Sequence, residues 1–305
     1  TDTLDTSILP AVIDGLIYCP GSINLRPFRG LKLETFESDM HINFFSMVKV
    51  IHNLLPQLTA SEQASIVLFS SVAVKMGMPF HTSVSASKGA IEGFAKALAA
   101  EAPQLQVEKI DITNSSDVAK ISAWDIDVLI NNAGYGQTGP MSDVPNDRLR
   151  KVFEVNVFGT VAATQAALPR MAAKGSGRII IMSSIAGVLA APGFGPYAMT
   201  KHALEAMGKA MRAELAPQGI DVCLINPAPY NTGFNDRMAD SMWEWFDDTS
   251  INAPAKEIHK MVGQMVTTNQ MDPAEVVQRL VELVEAETTT ENNFVPEGIV
   301  ELLGL

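Results

Sequence analysis

The sequence predicts an α/β protein with a doubly wound parallel sheet and an internally duplicated block. Two observations carry that prediction. Short continuous apolar runs alternate with long helical stretches, the pattern of buried parallel strands joined by crossover helices. The chain also repeats itself: V-S-A-S-K at 84–88 is answered by Y-A-M-T-K at 197–201, and the flanking residues match as well.

The first run is L-I-Y-C-P (16–20), which ends in a glycine-containing turn and reads as a strand. A helical stretch follows over Leu33–Leu58, then the strand I-V-L-F-S (66–70) and a helix containing Lys88. V-E-K-I-D (107–111) is the next strand, and V-L-I-N-N (128–132) opens the second round. That round continues with a helix over Asn146–Ala173, the strand I-I-I-M-S (179–183) and a helix containing Lys201. V-C-L-I-N (222–226) and N-F-V-P (293–296) complete seven strands. Between them the stretch 227–254, with Trp243, Trp245 and Phe246, is too long for a simple connection and reads as a lid or substrate loop.

The repeat has no gap. Gly21 pairs with Gly134, Asn43 with Asn156, Pro56 with Pro169, Ser71 with Ser184 and Lys88 with Lys201, and 134 − 21 and 201 − 88 are both 113. Leu16–Glu101 therefore maps onto Leu129–Glu214, a span far longer than a solenoid repeat. Two blocks result: 1–104, a partial and inactive copy, and 105–305, the catalytic copy. The blocks either share one sheet or form two truncated domains joined near 103–106. A third possibility is a chain spliced from a longer tandem protein, and the start at Thr1 fits a missing or processed N-terminus.

A formal charge of −12 argues against a nucleic-acid or anionic-membrane partner, since both need a basic footprint. Cys19 and Cys223 each sit in an apolar run and read as buried thiols in a reducing compartment. The five histidines show no ligand spacing, so no metal is expected. No apolar stretch approaches a bilayer span and no signal peptide is visible, which points to a cytoplasmic location.

Five motifs then share one order and spacing: V-L-I-N-N-A-G (128–134), E-V-N-V-F-G (154–159), I-M-S-S-I-A-G (181–187), Y-A-M-T-K (197–201) and I-N-P-A-P-Y-N-T (225–232). Together they resemble the short-chain dehydrogenase/reductase family over about 105–305, and the first copy resembles only that family's middle block. The resemblance implies a Rossmann-like fold, NAD or NADP as cofactor and a small carbonyl or alcohol as substrate. It implies catalytic roles for Asn156, Ser184, Tyr197 and Lys201, with Asn156 completing a proton relay through water. It places cofactor contacts at Asp111, Asn131, Ala133, Gly134, Tyr197, Lys201, Pro227 and Thr232. It also implies a dimer contact through the helices bearing the Asn and the Tyr/Lys pair, available here to a homo-oligomer or to an intramolecular pseudo-dimer.

The chemistry explains the residue types. Tyr197 and Lys201 lie one helical turn apart on one face, so a lysine ammonium is expected to favour the phenolate and pull the tyrosine toward neutrality. Tyr197 would then give its proton to a carbonyl oxygen that Ser184, at a strand end, holds in position. Taken alone, Tyr197 would be an amphipathic residue on a half-buried helix, and its neighbours Ser184, Lys201 and Asn156 change that reading; for Asp111 a solvated strand-end carboxylate stands equally beside the adenine contact. Gly134-Tyr-Gly136-Gln-Thr-Gly139 spells a dinucleotide fingerprint but is followed by Pro140, and reads as a turn.

One family element is not in this sequence: the T-G-x-x-x-G-x-G turn whose amides hold a pyrophosphate. Weak dinucleotide binding is therefore expected unless the Tyr18–Arg29 turn, with Gly21, Arg26 and Arg29, substitutes. Val84 has no proton to give, so the first copy is expected to be structural. Two functions stand: an NAD(P)-dependent oxidoreductase interconverting a carbonyl and a secondary alcohol, or a non-catalytic pseudo-oxidoreductase or engineered, fused scaffold of the same fold.

Overall fold

Parallel strands need their partners supplied by crossover helices, and the chain provides them twice. The computed structural model describes residues 9–299 except 14, 19–20, 23, 25, 62–63, 69, 72, 75–76, 78, 103–109 and 269. It divides into two compact units, Thr1–Lys109 and Ile110–Leu305.

In the first unit β1 (Gly15–Tyr18) pairs in parallel with β2 (Ser65–Leu68), Gly15 opposite Ser65. The helical stretch read over 33–58 is α1 (Leu33–Met40), a π turn at His41–Phe45 and α2 (Ser46–Thr59). The long α3 (Thr82–Glu101) follows. Met47, Ile51, Leu54 and Leu58 recur at helical spacing along α2 and bury against Ile66, Ile91 and Leu98.

The second unit opens with α4 (Ser115–Ala119), whose N-terminal amides are capped by the Asn114 side chain. β3 (Val128–Asn131), α5 (Asn146–Phe153), a π turn (Glu154–Gly159), α6 (Thr160–Lys174), β4 (Gly177–Met182) and α7 (Gly195–Leu215) come next. β5 (Ile220–Pro227), α8 (Phe234–Asp240), α9 (Lys256–Thr267), α10 (Ala274–Glu285) and β6 (Asn292–Val295) complete it. The sheet order is β3-β4-β5-β6, all parallel. Its two faces explain the unbroken apolar strands. Ile179, Ile181, Val222 and Leu224 pack under α6 and α7, while Ile180, Cys223 and Ile225 pack under Leu280 and Leu283 of α10. Each such isoleucine or leucine contributes about 1.5–3 kcal/mol by its burial.

The 113-residue spacing holds at the level of elements. β1 and β3 start at 15 and 128, α1 and α5 at 33 and 146, and α3 and α7 at 82 and 195. Each first long helix passes through a π turn, and Pro56 and Pro169 sit inside α2 and α6.

The structure corrects some readings. Among the described residues there are six strands in two sheets rather than seven in one or two. Most of the strand read at 107–111 lies outside the described residues, and Ile110 and Asp111 are not in a strand. Cys19 also lies outside them, whereas Cys223 is a buried free thiol whose pKa burial raises. The 227–254 stretch contains α8 and two 3₁₀ turns and runs into α9, so it is a helical insertion rather than an open loop. Among the described residues no helix is long and apolar enough to cross a membrane.

Candidate active site at the strand ends

Helix α7 organises the site. Pro196 in its first turn suits a helix start, and residues 197, 200/201, 204/205 and 208 recur at helical spacing on its buried face. Tyr197 and Lys201 are 5% and 6% exposed. Lys201 Nζ stands 5.6 Å from the centre of the Tyr197 ring and donates to the Met182 carbonyl at 2.6 Å. Met182 ends β4, and the next two residues are Ser183 and Ser184. Ser184 Oγ accepts from Ala186 N at 3.1 Å, lies 3.4 Å from the Pro227 carbonyl and shares a side-chain hydrogen bond with Tyr197.

Asn156 sits inside the π turn of Glu154–Gly159 and is fully buried. Its Oδ1 accepts from Tyr135 N at 3.0 Å, and its Nδ2 donates to the Tyr135 carbonyl at 2.9 Å and to Thr200 Oγ1 at 3.1 Å. The amide thereby ties the loop after β3 to α7. Asn131, at the end of β3, donates to Thr164 Oγ1 at 2.9 Å. Ala133 and Gly134 follow in that loop, where a Cβ on Gly134 would come 3.1 Å from Asn156 Oδ1. Pro227 ends β5, and Thr232 Oγ1 accepts from Phe234 N at 3.4 Å. Asn156, Ser184, Tyr197, Lys201, Asn131 and Pro227 thus gather around the carboxyl ends of β3, β4 and β5, where open α/β sheets place their ligands. Asp111 lies ahead of α4, and its carboxylate accepts from Thr113 N and Oγ1 at 3.1 and 2.7 Å, closing a turn. The Gly134–Gly139 match is a loop: no helix starts before Asn146, so it lacks the helix N-terminus the fingerprint needs.

The electrostatics overturn one expectation. Burial drives the Tyr197 phenol above its ordinary value, and the hydrogen bond with Ser184 opposes it only in part. Lys201 does not pull it down, because its ammonium lies over the ring face instead of at the hydroxyl. Burial also lowers Lys201, to about 8, against the raising effect of Glu205.

Glu205 is the residue that sequence reading missed. It is 5% exposed, one turn beyond Lys201, and its carboxylate collects Ser183 Oγ at 2.5 Å, Asn226 Nδ2 at 2.6 Å and Asn292 Nδ2 at 2.6 Å. Each donor comes from a different strand end, so the cage pins α7 to β4, β5 and β6. A signal existed: the pair Ser70–Glu92 repeats Ser183–Glu205 at the 113 spacing, with a 2.6 Å bond. Phe234, whose ring centre is 5.6 Å from that of Tyr197, was missed as well. With Phe194, Met238, Val262 and Val266 it encloses the phenol.

The first unit keeps this scaffold without the tyrosine. Asn43 in its π turn bonds Ser22 N at 2.6 Å, the Ser22 carbonyl at 2.9 Å and Ser87 Oγ at 2.9 Å, matching Asn156 with Tyr135 and Thr200. Ala73 N donates to Ser71 Oγ as Ala186 N does to Ser184 Oγ. Val84 is buried where the second unit has Tyr197. Asp39, where the second unit has Val152, is a buried carboxylate accepting from Ser22 Oγ, Asn24 Nδ2 and Ser83 Oγ at 2.6, 2.8 and 2.6 Å.

A sequence profile described as short chain dehydrogenase matches residues 9–115 and 108–243. The Bacillus subtilis protein named uncharacterized oxidoreductase YusZ is 34% identical over 185 residues, 59% of this chain and 66% of that protein. Human 17-beta-hydroxysteroid dehydrogenase type 1 is 30% identical over 227 residues, 71% of this chain and 68% of that enzyme. This chain thus spans about two thirds of the length of either protein. A short-chain dehydrogenase from Burkholderia cenocepacia, solved in complex with NADP, superposes with a TM-score of 0.51 at 26% identity, covering 66% of this chain and 76% of that one.

Proposed function

Since the chain belongs to the short-chain dehydrogenase family, we propose that its second unit interconverts a small carbonyl compound and a secondary alcohol with NAD or NADP, using Tyr197 as acid and base. The observation that supports this most is the buried constellation itself: Ser184 bonded to the Tyr197 hydroxyl, Lys201 against its ring and Asn156 bracing the same helix. The donor set fits the nicotinamide-ribose end of a dinucleotide. Lys201 gives one of its three N–H groups to Met182 among the described residues, so its ammonium has capacity for ribose hydroxyls, beside Asn131, Ala133, Gly134, Pro227 and Thr232. When bound, the reduced cofactor supplies the hydride that reaches the carbonyl carbon.

The chain's own groups do the rest. Ser184 and Tyr197 donate to the carbonyl oxygen, and Tyr197 passes its proton there as the alkoxide forms. A phenol kept protonated by burial is suited to that direction. Lys201, charged below about pH 8, compensates the phenolate that is left. Asn156 fixes the loop and helix that hold this group and connects it to the relay that restores the proton. The helical insertion around α8 and α9 is the lid that excludes water. Exposed Phe158, on the π turn beside Asn156, supports self-association through the helices bearing Asn156 and the Tyr197/Lys201 pair.

The pyrophosphate end does not have such a set: no T-G-x-x-x-G-x-G turn exists in the 305 residues. That observation favours the second reading, a fold that binds dinucleotide poorly and does not turn over. Tyr197→Phe removes only a hydroxyl and separates the two. On the first reading the variant folds like the parent and loses carbonyl reduction by orders of magnitude, followed by NADPH and NADH absorbance. Equal rates in the two proteins refute the assignment, and no turnover by the parent at saturating cofactor favours the second reading.

A further inference from the structure

Burying a carboxylate is costly unless it is hydrogen-bonded and its charge is met. Glu205 is 5% exposed, and the side chains bonded to it among the described residues all donate. Its Oε1 accepts from Ser183 Oγ at 2.5 Å and Asn226 Nδ2 at 2.6 Å, and its Oε2 from Asn292 Nδ2 at 2.6 Å. The asparagines are held in that orientation. Asn226 Nδ2 also donates to the Ser184 carbonyl at 3.3 Å, and Asn226 Oδ1 accepts from Asn292 Nδ2 at 3.1 Å. Room is kept for the cage as well: a Cβ on Gly187 would lie 2.6 Å from Ser183 Oγ and 2.9 Å from Glu205 Oε1. Whichever way a glutamine turned at position 205, its N–H₂ would face an asparagine nitrogen that can only donate. The cage therefore requires a carboxylate and not just a polar side chain.

Two residues of the site depend on it. Glu205 holds Ser183 by its hydroxyl and, through Asn226, holds the Ser184 carbonyl, so the strand end that presents Ser184 is fixed at two successive residues. Lys201 lies one turn before Glu205 on the same face of α7, and its ammonium rests on the Met182 carbonyl at 2.6 Å. A buried cation and a buried anion are thus anchored to consecutive residues, Met182 and Ser183, of that strand end. The elements packed there add no other charge among the described residues. Ser184 after β4, Asn226 on β5, Asn292 on β6 and Asn156 in the π turn are neutral, and burial keeps the Tyr197 phenol protonated. Lys209 and Glu291, the next charged groups along α7 and ahead of β6, pair with each other at 3.8 Å and are about half exposed. Burial lowers Lys201 to about 8, and Glu205 is the group that opposes that trend.

We propose that Glu205 is a positioning residue of the site: its caged carboxylate sets the strand end that carries Ser184 and supplies the counter-charge for the buried Lys201 ammonium. The inference rests on the oxidoreductase reading for its effect on turnover, whereas the protonation of Lys201 is measured without turnover. Glu205 acts through Ser183, Asn226 and Lys201 and needs no contact with the substrate.

The test follows Lys201 by NMR of the full chain labelled with carbon-13 at lysine Cε, its resonance identified by its loss in Lys201→Met. In Glu205→Gln the titration of Lys201 is expected about one pH unit below that of the parent, the ordinary effect of removing a neighbouring opposite charge. Asn292→Ala takes one donor from the cage and leaves the charge, so it should lower the unfolding temperature without moving the titration. Under the oxidoreductase reading the loss of kcat in Glu205→Gln should be about fivefold greater at pH 8 than at pH 6, where the lysine has regained its proton. An unmoved Lys201 titration in Glu205→Gln, an equal shift in Asn292→Ala, or a kcat loss that is the same at both pH values overturns the proposal and leaves the cage a purely structural tie. A shifted titration in a chain whose parent reduces no carbonyl would instead overturn the oxidoreductase reading and keep the counter-charge. Where Glu205→Gln does not fold, the double variant Lys201→Met with Glu205→Gln decides: folding regained on removing both charges supports the pairing, and no folding in either overturns it.

Discussion

Tyr197 and Lys201 illustrate how much one turn of helix decides and how much burial adds to it. Unfolded lysine keeps its proton to about pH 10.5, whereas folded Lys201 releases it at about 8. Between those values the unfolded chain binds more protons, so stability should climb as pH rises from 8 toward 10. Above 10 the raised phenol of Tyr197 acts oppositely, since the folded protein then holds a proton that the unfolded chain gives up. Urea unfolding across that window should show the climb in the parent and a smaller one in Lys201→Met; a parent curve that is flat from 8 to 10 would contradict the burial argument. Such residues were legible because a Tyr and a Lys four apart, with a Ser thirteen before and an Asn in a matched motif, need no tertiary information. Glu205 was not legible. Its donors lie 21, 22 and 87 residues away, and only the folded sheet brings three strand ends to one carboxylate.

At the scale of elements the sequence marked six of the strands within a few residues, because apolar runs without alternation have no other home than a sheet covered on both faces. It marked each long helix but not the π turns inside them, since the residues His41–Phe45 and Glu154–Gly159 have no composition that separates a π turn from an α turn. The insertion after β5 was visible as a break in rhythm, yet the helical character of α8 and α9 was not. The two copies give an internal control. Ser71 and Lys88 occupy the places of Ser184 and Lys201, but Val84 leaves them without a proton donor. Ser71→Ala and Lys88→Ala are expected to change turnover by no more than a few-fold. A variant that unfolds at the parent's temperature yet has lost its activity would show that the first unit takes part in the chemistry.

For the molecule as a whole the prediction concerns the dinucleotide. Backbone amides at a helix N-terminus hold a pyrophosphate in this fold class, each hydrogen bond to a charged group being worth about 1.5–3 kcal/mol. Each 1.4 kcal/mol is tenfold in affinity, so a chain without that turn should bind NADH and NADPH with dissociation constants in the millimolar range. Separate calorimetric titrations of the two decide it. Low-micromolar binding that persists in Arg26→Ala and Arg29→Ala would reveal a phosphate site elsewhere in the chain. The charge of −12 already disfavours polyanions, and a dinucleotide without its amide cradle meets that same field.

The paired π turns carry a genetic consequence. A π turn holds one residue more than the α turn it replaces, so it takes up that residue while the helix on either side keeps its faces. Losing a single codon in 41–45 or 154–159 would turn the π turn into an α turn and leave the later side chains of α2 or α6 on their faces, whereas a loss further along either helix would rotate everything after it by about 100°. A substitution in the same stretch disturbs one side chain. The two units differ at Val84 against Tyr197 and at Asp39 against Val152, while both have the extra residue and the asparagine it presents. That shared turn is the feature by which the two helices keep the same frame, whatever stands at the matched position of Tyr197.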